Sequence, residues 1–149
     1  MKKLSASDLK DINLLKHYRI IRKWASKNND LNEADLELLI YLDYIDLFTI
    51  KDFKKGVYSY IWDNRRWSRL IKDNWIVVWR KRNRPNQTYN IYKVSVKGKQ
   101  LISRMYRIML QEEEIPTSTR RNKIMKRKTY MDKVLTTSIN DINKEINKN

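Results

Sequence analysis

Trp62, Arg65, Arg66 and Arg69 stand at i, i+3, i+4 and i+7, so a helix through them gathers one indole and three guanidinium groups on a single face. The chemistry available to such a face is recognition. An arginine fork takes guanine O6 and N7 together, or straddles phosphates, and Asn64 beside it can pair with adenine. A second basic group, Arg80, Lys81, Arg82 and Arg84, lies between two β-type runs, where it could follow phosphates or put an arginine into a narrow minor groove. Lys51, Lys54 and Lys55 come just before the helix and could brace the same backbone. Plainer readings stand beside each group. A charge run is often the solvated face of an amphipathic helix, and basic residues also blunt exposed sheet edges. Tyr58 and Trp62 are the best candidates for stacking on single-stranded bases, a minor alternative.

Groups that would do covalent chemistry are missing from the sequence. It holds no cysteine and one histidine, His17, which excludes disulfides and thiolate metal sites and leaves little for zinc or for a histidine base. His17 reads as a boundary or core residue of the first helix. Glu112, Glu113 and Glu114 are adjacent, so on a helix they diverge rather than converge on a metal. No glycine loop of the phosphate-cradling kind occurs, and neither an enzymatic activity nor a cofactor is expected.

The charge is distributed in a way that supports the recognition reading. The net charge is +16 over 149 residues, and residues 1–48, 49–100 and 101–149 contribute 0, +11 and +5. A phosphate-facing module would concentrate charge in this way. No apolar run reaches the roughly 18 residues of a membrane span, and the early Leu14-Leu15 is followed at once by Lys16-His17, unlike a signal peptide. The expectation is a soluble cytoplasmic protein. Lys, Asn and Ile number 20, 14 and 17 against three Ala, a bias that fits an AT-rich genome such as a phage's, which would place the protein in the host cytoplasm.

Elements able to position these side chains are legible in order. Residues 8–28 predict a helix with Leu9, Ile12, Leu15, Tyr18 or His17, Ile21 and Trp24 on its apolar stripe, ended by Asn28-Asn29. Asn32 caps a second helix that runs to about Ile45, with Asp35 at N3 as the acid of a capping box and Leu31 and Leu36 as a staple. Thr49, Asp52 and the pair Phe48 and Phe53 repeat that grammar, and Gly56 supplies a left-handed stop. Ser59 caps the arginine-bearing helix, which ends near Asp73-Asn74 with Tyr60, Trp67, Leu70 and Ile71 facing the core. Trp75 to Trp79 and Thr88 to Val96 predict two strands, with Arg80 to Gln87 as the loop between them and Tyr92, Val94 and Val96 on one face.

Leu31-Asn32-Glu33-Ala34-Asp35-Leu36-Glu37-Leu38-Leu39, Thr49-Ile50-Lys51-Asp52-Phe53, Leu70-Ile71-Lys72-Asp73-Asn74-Trp75-Ile76 and Lys93-Val94-Ser95-Val96-Lys97-Gly98 follow one another in an order that resembles the multiple antibiotic resistance regulator (MarR) family. The resemblance spans about residues 8–110 and lies in order and spacing. Asn74 stands where the family usually has glycine, Asp63 and Arg66 where it has apolar or small residues, and the wing lacks the family's Asp-x-Arg. The resemblance implies a mainly α (α+β) fold: a winged helix-turn-helix with a two-stranded β-hairpin wing and additional N- and C-terminal helices.

The expected organisation is a single domain over 1–149, with a winged core at 30–100 and flanking helices at 8–28 and 101–147. Leu101, Ile102, Met105, Ile108 and Met109 start the last part. Arg120 to Lys128 has six basic residues in nine, either a second phosphate contact or a flexible connector. Met131, Leu135, Ile139, Ile142 and Ile146 recur at spacings of 4, 4, 3 and 4, a stripe that must be buried. In the family the terminal helices interlock between subunits, which implies a homodimer. As a lesser alternative, the stripe could fold back on its own domain. The expected function is double-stranded DNA binding as a transcriptional regulator. Two rivals stand beside it: a DNA-architectural or virion-associated protein, and a winged-helix adaptor docking on RNA polymerase.

Overall fold

Asn74 takes a left-handed backbone, φ 61°, and ends the arginine-bearing helix with two hydrogen bonds: its own N–H to Ile71 O (3.1 Å) and Trp75 N–H to Leu70 O (2.9 Å). This is the Schellman pattern, completed by the buried pair Leu70 and Trp75. It turns the chain directly into a strand.

The computed structural model describes residues 5–56, 64–85 and 87–148. The elements are α1 (Ala6–Asp11), α2 (Leu14–Asn28), α3 (Glu33–Ile45), α4 (Ile50–Gly56), α5 (Asn64–Lys72), β1 (Ile76–Arg84), β2 (Gln87–Val94), α6 (Val96–Met109), a 3-10 turn (Lys123–Lys126) and α7 (Tyr130–Asn147). They gather into two compact units, Asn32–Ser103 in one and Met1–Leu31 with Arg104–Asn149 in the other.

The Asn32–Ser103 unit is a mainly helical body carrying an antiparallel hairpin. Asn32 caps α3 as expected, its side chain accepting from Asp35 N–H at 2.7 Å. The expected capping-box acid is elsewhere: the Asp35 carboxylate turns to α5. In α4 the acid does reach back, Asp52 Oδ2 accepting from Thr49 N–H at 2.9 Å. Gly56 is the last residue of α4 rather than a left-handed residue beyond it, and no described glycine has a positive φ.

Two corrections concern the hairpin. Strand β1 continues through Arg80, Lys81 and Arg82 to Arg84, so these cations stand on a paired strand and not in a loop. Val96 belongs to α6 and is exposed. The register runs Ile76↔Val94, Val77↔Lys93 and Val78↔Tyr92, then resumes at Arg80↔Ile91 after a bulge. Phe48 adds a third rung, exchanging two hydrogen bonds with Tyr92 (3.0 and 2.8 Å). Helix α6 starts against this sheet at Gly98, where a Cβ would meet Val94 Cγ1 at 2.6 Å. Only glycine fits that approach without displacing the Val94 side chain.

In the other unit the predicted helix 8–28 is two, broken at Asn13 (φ 48°). The stripe keeps Ile21 and Trp24 buried and adds Ile20, while Leu15 is exposed. Leu135, Ile139, Ile142 and Ile146 of α7 are all buried within this chain, whereas Met131 is half exposed. The C-terminal stripe therefore folds back on its own unit, the second of the two expectations. Asn143, itself buried, accepts from Ile115 N–H and donates to Ile115 O, both at 3.0 Å, which ties the segment after α6 to α7.

His17 is buried and its Nε2 lies 3.1 Å from Glu145 Oε2. An ionised carboxylate only accepts, so Nε2 carries the proton. That hydrogen bond from His17 outweighs desolvation and, with Lys16, His17 and Lys148 nearby, holds the Glu145 carboxyl below its ordinary value. The Lys27 ammonium, 2.7 Å away, does the same for Asp132. Because both folded-state values are lowered, the stability they contribute is fully present above the ordinary values of 4.5 and 3.8 and is lost as pH falls through the folded ones. Urea midpoints measured from neutral pH downward should fall in that acid range, and Glu145→Gln with Asp132→Asn should flatten the fall. Parallel pH profiles for variant and wild type would refute the assignment.

Candidate nucleic-acid interface

Asp35 decides how α5 presents its arginines. The carboxylate is 1% exposed at the start of α3 and holds two guanidinium groups: Arg66 Nε at 2.8 Å from Oδ1, and Arg69 through Nε (3.0 Å) and Nη2 (2.7 Å) to Oδ2. The Arg69 contacts are aligned charge-assisted hydrogen bonds. The Arg66 contact is close but its N–H is not aimed at the oxygen, and it acts as an ion pair by proximity. The Arg66 side chain is 15% exposed and that of Arg69 44%.

This corrects the grouping of Arg65, Arg66 and Arg69 on one outward face. Arg66 turns inward to a buried acid, Arg69 shares that acid while remaining half exposed, and Arg65 is exposed. The apolar side of α5 is as expected at Trp67 and Leu70, both buried, with Ile71 intermediate. Trp67 meets Phe53 of α4 (ring centroids 4.7 Å), Tyr92 of β2 (4.8 Å) and Phe48 (6.4 Å). One indole thus fixes α5 against α4 and the sheet.

Among the remaining candidates, Lys51 and Lys54 are exposed on α4, and Arg80, Lys81 and Arg82 are exposed on β1. Successive strand residues alternate, so Arg80 and Arg82 project to one face of the hairpin and Lys81 to the other. Tyr58, Ser59 and Trp62, with the side chains of Lys55, Asn64 and Arg84, lie outside the described residues. The base-stacking alternative and the cap at Ser59 fall there too.

Sequence reasoning missed the acid that organises the helix. Its signal was present: Asp35 is an acid at N3 of a helix otherwise apolar on that side, and Arg66 departs from an apolar pattern. Lys99 is a further cation held by acids. Burial alone would lower its pKa, but hydrogen bonds from its Nζ to Asp43 (3.2 Å) and Asp46 (3.3 Å) raise it on balance. Of the three adjacent glutamates, Glu113 receives Arg104 (3.0 Å) and Arg107 (2.8 Å). Among the described residues no cluster of acids or histidine could hold a metal, and no helix is long and apolar enough to cross a membrane.

Helices α3, α4 and α5 followed by the β1–β2 hairpin, with the Phe48 rung beside it, form the order of parts that defines one fold. The fold is a winged helix. The chain is similar to the oxidised form of MarR from E. coli, with a TM-score of 0.44 and 20% identity over 74% of this chain and 78% of that one. It is similar to a mutant MarR from E. coli complexed with operator DNA (TM-score 0.44, 20% identity, 70% and 75% of the two chains). It is also similar to the wild-type apo form of that protein (TM-score 0.44, 18% identity, 91% and 93%). No family model and no curated protein sequence matches the chain.

Proposed function

We propose that this winged helix binds duplex DNA as a sequence-specific transcriptional regulator, with α5 directed to the major groove and the hairpin lying along phosphates or the minor groove. The observation that carries the reading is the concentration of charge: residues 49–100 hold +11 of the net +16, and the described cations Arg65, Arg80, Lys81 and Arg82 within them are exposed. Exposed cations of this density attract a polyanion and release its counterions on binding. In this reading Arg65 is the foremost candidate for base contact in the described part of α5. Lys51, Lys54 and the strand cations set orientation on the backbone. Arg66 and Arg69 act through Asp35 to fix the helix. The protein works in the cytoplasm, as a homodimer; exposed Leu15 (66%) and Tyr130 (80%) leave apolar surface for a second copy.

Titration of the full chain against selected and random duplexes at several salt concentrations tests this. A regulator prefers its selected site by on the order of 10³ or more, and the logarithm of affinity falls linearly with that of salt. The triple reversal Arg80→Glu, Lys81→Glu, Arg82→Glu should weaken binding to all duplexes and reduce the salt slope by about one per lost phosphate contact. A steep slope without preference would indicate an architectural protein, and weak binding to every duplex an adaptor. Unchanged affinity after Arg65→Glu would remove α5 from the groove.

A further inference from the structure

A cavity of about 290 Å³ lies where the end of α2, the 3-10 turn and the start of α7 meet, lined by Lys27, Lys123, Ile124, Lys126, Lys128 and Asp132. Four lysines and one aspartate thus line a single concavity. That carboxylate is already matched: Lys27 Nζ sits 2.7 Å from Asp132 Oδ1, and Asp132 N–H is capped by Thr129 Oγ1 at 3.1 Å. Among the described residues Lys123 has one loose ion-pair partner, Asp30 at 3.8 Å, whose side chain is 88% exposed. Among the described residues no carboxylate lies within ion-pair distance of Lys126 or Lys128.

The walls are built rather than loose. Asn122, fully buried, accepts from Asn28 Nδ2 (2.9 Å) and donates to Pro116 O (2.8 Å). Asn28 Oδ1 accepts from Lys123 N–H (2.7 Å), and Thr136 Oγ1 donates to Ile124 O (3.3 Å). These bonds tie residues 122–124 of the basic segment to α2 and α7. Holding like charges around one concavity is unfavourable unless an anion relieves it.

We propose that this pocket binds a compact polyphosphate, free or as the tail of a nucleotide. With Lys27 and Asp132 cancelling, Lys123, Lys126 and Lys128 leave an excess of three positive charges, which suits a ligand of several adjacent negative charges better than a single carboxylate. Lysine ammoniums serve phosphates as point charges without requiring a planar acceptor. The volume is close to the lower end for small-ligand sites, and a concave wall encloses a compact anion, whereas duplex phosphates lie on a convex surface. The proposal is independent of the DNA-binding reading.

Isothermal titration of the full chain with inorganic tripolyphosphate at physiological ionic strength tests it, with ATP and a random duplex as parallel ligands. The expected result is saturable binding of one tripolyphosphate per chain, weakened about tenfold or more, equivalent to about 1.4 kcal/mol, by Lys126→Glu with Lys128→Glu. The hairpin reversal at Arg80 and Arg82 should leave it unchanged. ATP binding with the same dependence identifies a nucleotide tail as a source, and tripolyphosphate binding without it a free polyphosphate. A second readout needs no variant: tripolyphosphate should protect Lys126 and Lys128 from acetylation while Lys81 stays reactive. Equal protection of all three lysines would overturn the proposal. So would absence of tripolyphosphate binding, with or without loss of duplex affinity in the Lys126 and Lys128 variant; loss of duplex affinity would make the segment a DNA-backbone contact.

Discussion

Asp35→Ala is expected to destabilise the Asn32–Ser103 unit by about 3–5 kcal/mol, the usual effect of removing one partner of a buried ion pair. The carboxylate is 1% exposed, and Arg66, at 15%, has no other described carboxylate within reach. Without Asp35 the Arg66 guanidinium must stay buried and uncompensated or drag its end of α5 into water. Arg69 is half exposed and loses less. Asp35→Asn should cost nearly as much, because the neutral amide keeps the shape and drops the charge. Replacing both ends, Asp35→Leu with Arg66→Met, should recover most of the loss, since an apolar pair of similar volume avoids desolvating either ion. Urea unfolding followed by circular dichroism, arranged as a double-mutant cycle, separates the pair from its parts. A loss below about 1 kcal/mol for Asp35→Ala, the level of an exposed pair, would mean that Arg66 and Arg69 are held by something else. Within the DNA-binding reading, Asp35→Asn should also weaken duplex affinity where its fold persists, although Asp35 touches no nucleic acid.

The signals that were legible are local ones. Asn32 at the start of α3, Asp52 reaching back to Thr49 and Asn74 at the end of α5 each act within a few residues, and each does what its type and position predict. The order of helices and hairpin follows from them. The long-range assignments were harder because periodicity says that a residue is buried without saying against what. The α7 stripe looked the same whether it met a second copy or its own unit. Asp35 satisfies the spacing of a capping box, yet ion pairing with Arg66 and Arg69, more than thirty residues away, outcompetes the cap. Arg80, Lys81 and Arg82 gave no strand signal because a ladder of backbone hydrogen bonds needs no apolar face to continue. The same limit hid the burial of two side chains, Asn122 and Ile124, inside a run dominated by charge.

The second large effect is expected at Trp67, the residue through which α5 is joined to its neighbours. Its ring is 8% exposed and packs at 4.7 Å on Phe53, at 4.8 Å edge-on to Tyr92 and at 6.4 Å edge-on to Phe48. Phe53 belongs to α4, Tyr92 to the hairpin and Phe48 to the third rung, so this one side chain joins α5 to all three. Trp67→Ala removes the largest side chain in that cluster and leaves a cavity among the rings of Phe48, Phe53 and Tyr92, which costs about 3–5 kcal/mol. Trp67→Phe keeps one ring in place and part of the edge-to-face geometry, and should cost less than half as much, with each aromatic pair worth about 0.5–1.5 kcal/mol beyond its area. The two variants separate cavity from ring geometry, which a single deletion would not. Because Tyr92 and Phe48 exchange backbone hydrogen bonds, loss of the indole should also loosen that rung, visible as faster hydrogen exchange at the Tyr92 and Phe48 amides than at Ile21 in the other unit. Exchange that stays slow at Tyr92 in Trp67→Ala would show the rung to be held by its hydrogen bonds alone. A stability change under about 1 kcal/mol, the scale of an ordinary surface substitution, would show that α5 is anchored chiefly through Asp35.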